Sequence, residues 1–131
     1  SDLIGGQVQC FFASASSIMP HIQGGRVRAL AVSSLEPVAA LAGVPTVARA
    51  LPGFEVSLWG GYFAPASTPP AIVELLAGHI NRIAQKPELR SRFEAEGSAV
   101  DPMTPERFGK FVRAEMDKYA ALVKSTQARI D

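Results

Sequence analysis

Residues that usually carry chemistry are scarce in this chain: 131 residues contain one cysteine, two histidines and one tryptophan. Cys10 has no second cysteine to pair with, and a single thiol without metal-type ligands spaced around it makes no zinc site. An excess of charge of one sign is missing too. Thirteen Lys and Arg against twelve Asp and Glu leave a formal charge of +1, dispersed along the chain, so no concentrated field draws a phosphate backbone or an anionic bilayer. Nucleic acid is therefore not an expected partner. No apolar run approaches the roughly 18 to 20 residues that cross a bilayer, and no basic segment followed by an apolar core and a cleavage site opens the chain. The mature or shortened product of an exported precursor has the same appearance. What is present is apolar: 47% hydrophobic against 19% charged residues, the balance of a chain that folds, at the length of one domain.

The patterning alternates between buried-strand and helix signatures. Ser1 to Gly6 reads as a last helical turn closed by glycine. Val8 to Phe12 is a short, nearly continuous apolar run, the pattern of a central strand covered on both faces. Ser14 to Ser17 offer N-caps for a helix carrying Ile18, Met19 and Ile22, with Pro20 in its first turn and Gly24-Gly25 as its stop. Arg28 to Ser33 repeats the strand signature, so the first part is expected to be a parallel βαβ unit. From Ser34 to Pro52 the prolines at 37, 45 and 52 limit the chain to short helical turns and loop. Phe54 to Ala64 reads as a long strand bent at Gly60-Gly61.

The remainder is helical. Thr68-Pro69-Pro70 opens a helix striped by Ile72, Leu76, Ile80 and Ile83. Pro87 opens a shorter one ending near Gly97, with at most a brief strand from Ser98 to Val100. Thr104-Pro105 opens the last, lined by Phe108, Phe111, Val112, Met116, Tyr119 and Val123, with Glu106 to Lys110 and Arg113 to Asp117 spaced to pair outside. The fold class is α/β, short parallel strands with crossover helices followed by a helical C-terminal segment.

No catalytic constellation is spaced out in the sequence. His21 and His79 have no partner at a metal-binding or triad spacing, and each reads as an ordinary structural histidine, His79 packed beside its helix stripe. Cys10, within the apolar strand, reads as an inert core thiol. Glu36, Glu55, Asp101 and Glu106 form no carboxylate pair in an apolar setting. Gly5-Gly6, Gly24-Gly25 and Gly60-Gly61 lack the lysine and Ser/Thr of a phosphate loop. An enzyme is not expected, and no cofactor is implied. One feature suits a ligand: Ser14, Ser16 and Ser17 follow the end of a strand and begin a helix, where hydroxyls and open N–H groups favour an anion. The alternative is that they only cap the helix. Trp59, beside the glycine bend, either stacks on a ligand or packs in the core.

Four segments in register carry a family resemblance. Asp-Leu-Ile-Gly-Gly-Gln-Val from Asp2 to Val8, Pro-His-Ile-x-x-Gly-x-x-Arg-Ala-Leu-Ala-Val from Pro20 to Val32, Val-Pro-Thr-Val-Ala from Val44 to Ala48, and Trp-Gly-Gly-Tyr-Phe-Ala-Pro-Ala-Ser-Thr-Pro-Pro from Trp59 to Pro70 resemble the tripartite tricarboxylate transporter receptors, also called Bug receptors. Pro87 to Arg90 is similar as well, so the likeness runs from end to end. It implies part of a bilobed, venus-flytrap protein of the periplasm that captures a small organic carboxylate and offers it to membrane transporter subunits. Residues 1–57 would form part of the second lobe, and 58–131 the crossing strand and the helices returning to the first; the N-terminal half would lie outside this chain. Many such receptors carry an aspartate where Ala13 stands, one able to contact an amino group, so Ala13 implies a plain mono- or dicarboxylate ligand. The cleft positions carried over are Ala13, Ser14, Ser16, Ser17 and Trp59. Exposed apolar faces imply self-association, a homodimer through exposed lobe surfaces or exchange of the C-terminal helices. The effector-sensing domain of a transcription regulator, which shares the two-lobed plan, is the alternative.

Overall fold

The computed structural model describes residues 1–126; the end of the expected C-terminal segment, 127–131, lies outside the described residues. The chain divides into two compact units, Ser1–Phe63 with Lys86–Val100, and Ala64–Gln85 with Asp101–Asp131.

The first unit begins with a hydrogen-bonded turn where a last helical turn was expected: the Gly5 N–H donates to the Ser1 carbonyl at 2.9 Å and the Gln7 N–H to that of Asp2 at 2.8 Å. Helix α1 spans Ala15–Gln23 with Ser14 as its N-cap residue. Pro20 lies one turn deeper than expected, because the helix starts as early as Ala15; with no N–H, it leaves the Ser16 carbonyl without its helical donor. The helix stops where expected. Gly25 takes a left-handed φ of 68°, its N–H donates to the Ile22 carbonyl, and the Arg26 N–H donates to that of His21, each at 2.9 Å. These two reversed bonds satisfy carbonyls that the helix end leaves open.

The strands behave differently from the helices. Among the described residues no ladder forms along Val8–Phe12, Arg28–Ser33 or Phe54–Ala64, nor does Ser98–Val100 form a strand. The β contact among the described residues is a single parallel bridge, Val32 to Thr46, made by the Val32 N–H to the Pro45 carbonyl at 2.9 Å and the Val47 N–H to that of Val32 at 2.8 Å. The Val56 N–H reaches the Ser33 carbonyl at 3.0 Å. A buried-strand signature specifies a segment that needs neighbours on both sides, and a ladder exists only where another segment offers its edge. The central position expected for Val8–Phe12 is not realised: Phe12 is 81% exposed. Cys10, expected in the core, is exposed with it.

Short 3-10 turns at Ala39–Leu41 and Val47–Arg49 fill the proline-punctuated connector. Helix α2, Pro70–Ala84, belongs to the second unit; α3, Pro87–Ala95, returns to the first and packs against the Ala39–Leu41 turn. The core of the first unit sits around that junction. Met19 of α1, 3% exposed, and Leu41, 9% exposed, are the buried apolar residues of the described chain. At the end of α3 the Ser98 N–H donates to the Phe93 carbonyl at 2.9 Å, and Gly97 has a left-handed φ of 74°.

The second unit pairs α2 with α4, Pro105–Thr126. Pro70 opens α2 at a position whose N–H is unused in any helix. Thr104 caps α4 by accepting the Arg107 N–H at 3.2 Å, and Asn81 Nδ2 donates to the Met103 carbonyl at 2.8 Å, tying the end of α2 to the turn before α4. Glu106 pairs with Lys110 at 2.6 Å as the spacing predicts. Arg113 and Asp117 form no ion pair among the described residues; Lys118 instead meets Glu115 one turn back, at 2.8 Å. Most of the stripe on α2 is left exposed, at Ile72, Leu76 and Ile83, and Ile80 is half-buried. His79, expected to pack beside it, is exposed as well.

Candidate functional site

The start of α1 is the place where local sequence leaves backbone groups open. Ser14 has the extended backbone of an N-cap residue, φ −65° and ψ 141°, yet makes no side-chain cap bond. Its hydroxyl donates to Ser17 Oγ at 2.8 Å, and the Ser17 hydroxyl donates to the Ser14 carbonyl at 2.9 Å. The two hydroxyls therefore engage each other and a carbonyl, not the first-turn amides. The first intrahelical bond runs from the Ile18 N–H to the Ser14 carbonyl at 3.2 Å. Among the described residues, the N–H groups of Ala15, Ser16 and Ser17 thus have no capping partner, and the first turn holds no acidic residue. Partial positive charge and open donors point out of the same turn.

The structure brings Ser14 and Ser17 into one hydrogen-bonded pair. Ser16, exposed, stands outside it, and Ala13 is an exposed residue just before the cap. Trp59 is half-buried in the extended stretch that follows Phe54. Two shallow depressions of the first unit, one bordered by Leu89, Arg92, Phe93 and Glu96 and the other by Ala31, Pro45, Thr46, Val47, Arg49 and Ala50, include none of these five residues.

The opposite end of α1 holds His21. Its Nδ1 lies 2.6 Å from Arg26 Nη2. Arginine only donates, so Nδ1 is the acceptor in this contact. The reversed bonds that end α1 set Arg26 beside His21, an arrangement that needs no role in chemistry. Among the described residues no group of three His, Cys, Asp or Glu side chains is placed to hold a metal ion. No helix there is long and apolar enough to cross a membrane.

Sequence comparison matches residues 1–127 to the model of the tripartite tricarboxylate transporter family receptors. The chain belongs to that family. The chain is 34% identical over 125 residues to the UPF0065 protein in the clcB-clcD intergenic region of Pseudomonas knackmussii, a match covering 94% of this chain and 74% of the relative. Among solved structures it superposes on R. palustris Rpa4515, described with adipate, at a TM-score of 0.85 and 26% identity, covering 94% of this chain and 42% of that one. It superposes on the periplasmic binding protein BugD at 0.82 and 31% identity, covering 95% of this chain and 42% of BugD. The chain thus spans less than half the length of either solved protein, and carries part of the periplasmic-binding-protein α/β fold expected from its sequence.

Sequence reasoning placed Gly97 at the end of α3 but missed what it meets. The structure seats it against Ala15 and Met19 of α1, far along the chain, and a glycine after a helix gives no local sign of a distant neighbour.

Proposed function

We propose that this chain forms part of an extracytoplasmic solute receptor that captures a small organic carboxylate in the periplasm for a tripartite tricarboxylate-type transporter. It acts by binding and has no catalytic role. The observation that carries this reading is the uncapped start of α1, three open N–H groups beside two serine hydroxyls in a turn without acidic residues. Such a turn suits a carboxylate oxygen, which accepts several hydrogen bonds and is favoured by the helix dipole. The adipate of Rpa4515, bound to a protein of the same fold, supports a dicarboxylate as ligand. In this reading residues 1–57 belong to the second lobe and 58–131 to the crossing segment and returning helices, with Ser14, Ser16, Ser17 and Trp59 lining the cleft. Ala13 adds no carboxylate that would favour an amine. The family match favours this reading over an effector-sensing domain of a transcription regulator.

Titration with adipate, followed by amide NMR spectra, tests it. The amides of Ala15, Ser16 and Ser17 should shift saturably, and adipamide, the uncharged analogue, should leave them in place. Equal responses to the two compounds, or shifts that avoid α1, would overturn the reading.

Self-association through the helices of the second unit is part of the same proposal. Ile72, Leu75, Leu76 and Ile83 on α2 and Met116, Leu122 and Val123 on α4 are exposed apolar side chains, more than single scattered residues. Light scattering is expected to give a mass that rises with concentration towards a dimer, and a monomer at every concentration would reject it.

A further inference from the structure

Gly97 follows α3, and the space at its Cα is occupied by another element. A Cβ built there would lie 2.8 Å from Ala15 Cβ, 2.9 Å from Met19 Cε and 3.6 Å from Val38 Cγ1. Helix α1, the end of α3 and the turn beginning after Val38 therefore converge on one residue that has no side chain. The contacts differ in stiffness. Met19 Cε is the far end of a flexible chain and can swing aside, whereas Ala15 Cβ is fixed to the first residue of α1 and can yield only if the helix moves. Ala15 is also the residue whose N–H heads the uncapped turn.

We infer that Gly97 is a positioning residue for ligand capture: the missing side chain lets α1 seat against the end of α3 and so sets where the open amides of Ala15, Ser16 and Ser17 point. This rests on the proposed carboxylate seat at the start of α1. Gly97 does not touch the ligand; it acts through Ala15. A site held by hydrogen bonds tolerates little displacement of its donors, so the effect of a side chain at 97 is read at the other end of the contact.

The test uses Gly97→Ala, Ala15→Gly and the double variant, with amide spectra, adipate titrations and urea unfolding on each. In the ligand-free protein Gly97→Ala is expected to shift the amides of Ala15 to Ser17, and to weaken adipate by about tenfold. Ala15→Gly added to it removes the stiff half of the clash and should return both the spectra and the affinity towards the unmutated chain. Unfolding should not recover with them, because alanine at a left-handed φ stays strained whatever the space. That split separates positioning from stability. Unchanged amides and affinity in a destabilised Gly97→Ala would overturn the inference, as would a double variant that regains nothing. Where Gly97→Ala fails to fold, Ala15→Val crowds the same contact without touching the left-handed residue, and the same shifts and weakening are expected of it. Adipate that leaves α1 unmoved in the unmutated chain overturns the carboxylate seat itself; the ligand-free spectra still report, separately, whether residue 97 governs α1.

Discussion

Replacing Met19 with alanine is expected to cost the first unit about 2 to 3 kcal/mol, read as a lowered midpoint in urea unfolding. Met19 is the most buried apolar side chain of the described residues, and it carries the apolar face of α1 onto the end of α3. Truncation removes its burial and opens a gap between α1 and Gly97. The lower part of the usual range applies because the surroundings are thinly packed and can partly close over the space. Met19→Leu, close in volume, should cost less than about 1.5 kcal/mol. Leu35→Ala, at an exposed position, should stay within about 0.5 kcal/mol. Equal losses at 19 and 35 would mean that the junction of α1 with α3 is not the core of this unit.

Ala13→Asp is expected to weaken adipate by an order of magnitude or more while slightly stabilising the protein. Ala13 is exposed and immediately precedes the cap residue of α1. A carboxylate there faces the same partial positive charge that the ligand would use, so it competes for the open amides and repels a dianion. The cost of such a like-charge encounter runs to several kcal/mol when desolvated and falls with salt. The same charge favours the helix itself by about 0.3 to 1 kcal/mol. Binding and stability therefore move in opposite directions, which a merely damaged fold cannot produce. Calorimetric titration at low and high salt, beside urea unfolding, measures both. Adipate affinity that is unchanged by the substitution would place the ligand elsewhere than at the start of α1.

The legible parts of this chain are those whose hydrogen bonds close within a few residues. Pro70, Pro87 and Thr104-Pro105 announce α2, α3 and α4, and Gly25 and Gly97 stop their helices. Ser14 to Ser17 were legible as a helix start, but not the detail that the Ser14 and Ser17 hydroxyls pair with each other and leave the amides open. That choice depends on side-chain rotamers, to which spacing is blind. The apolar runs at Val8–Phe12 and Phe54–Ala64 were legible as strand-like segments, yet they form no ladder among the described residues. Composition reports what a segment would bury; the neighbour that buries it lies elsewhere.

By itself, the sequence determined where the helices start and stop, the balance of charge and the family motifs, because each follows from residues within a turn or two of one another. Tertiary structure alone decided that Cys10 and His79 are exposed, that Val32 bridges to Thr46, and that Gly97 meets Ala15 and Met19. Those outcomes depend on which distant segments meet, and a contact between residues far apart in the chain leaves no local pattern at either of them.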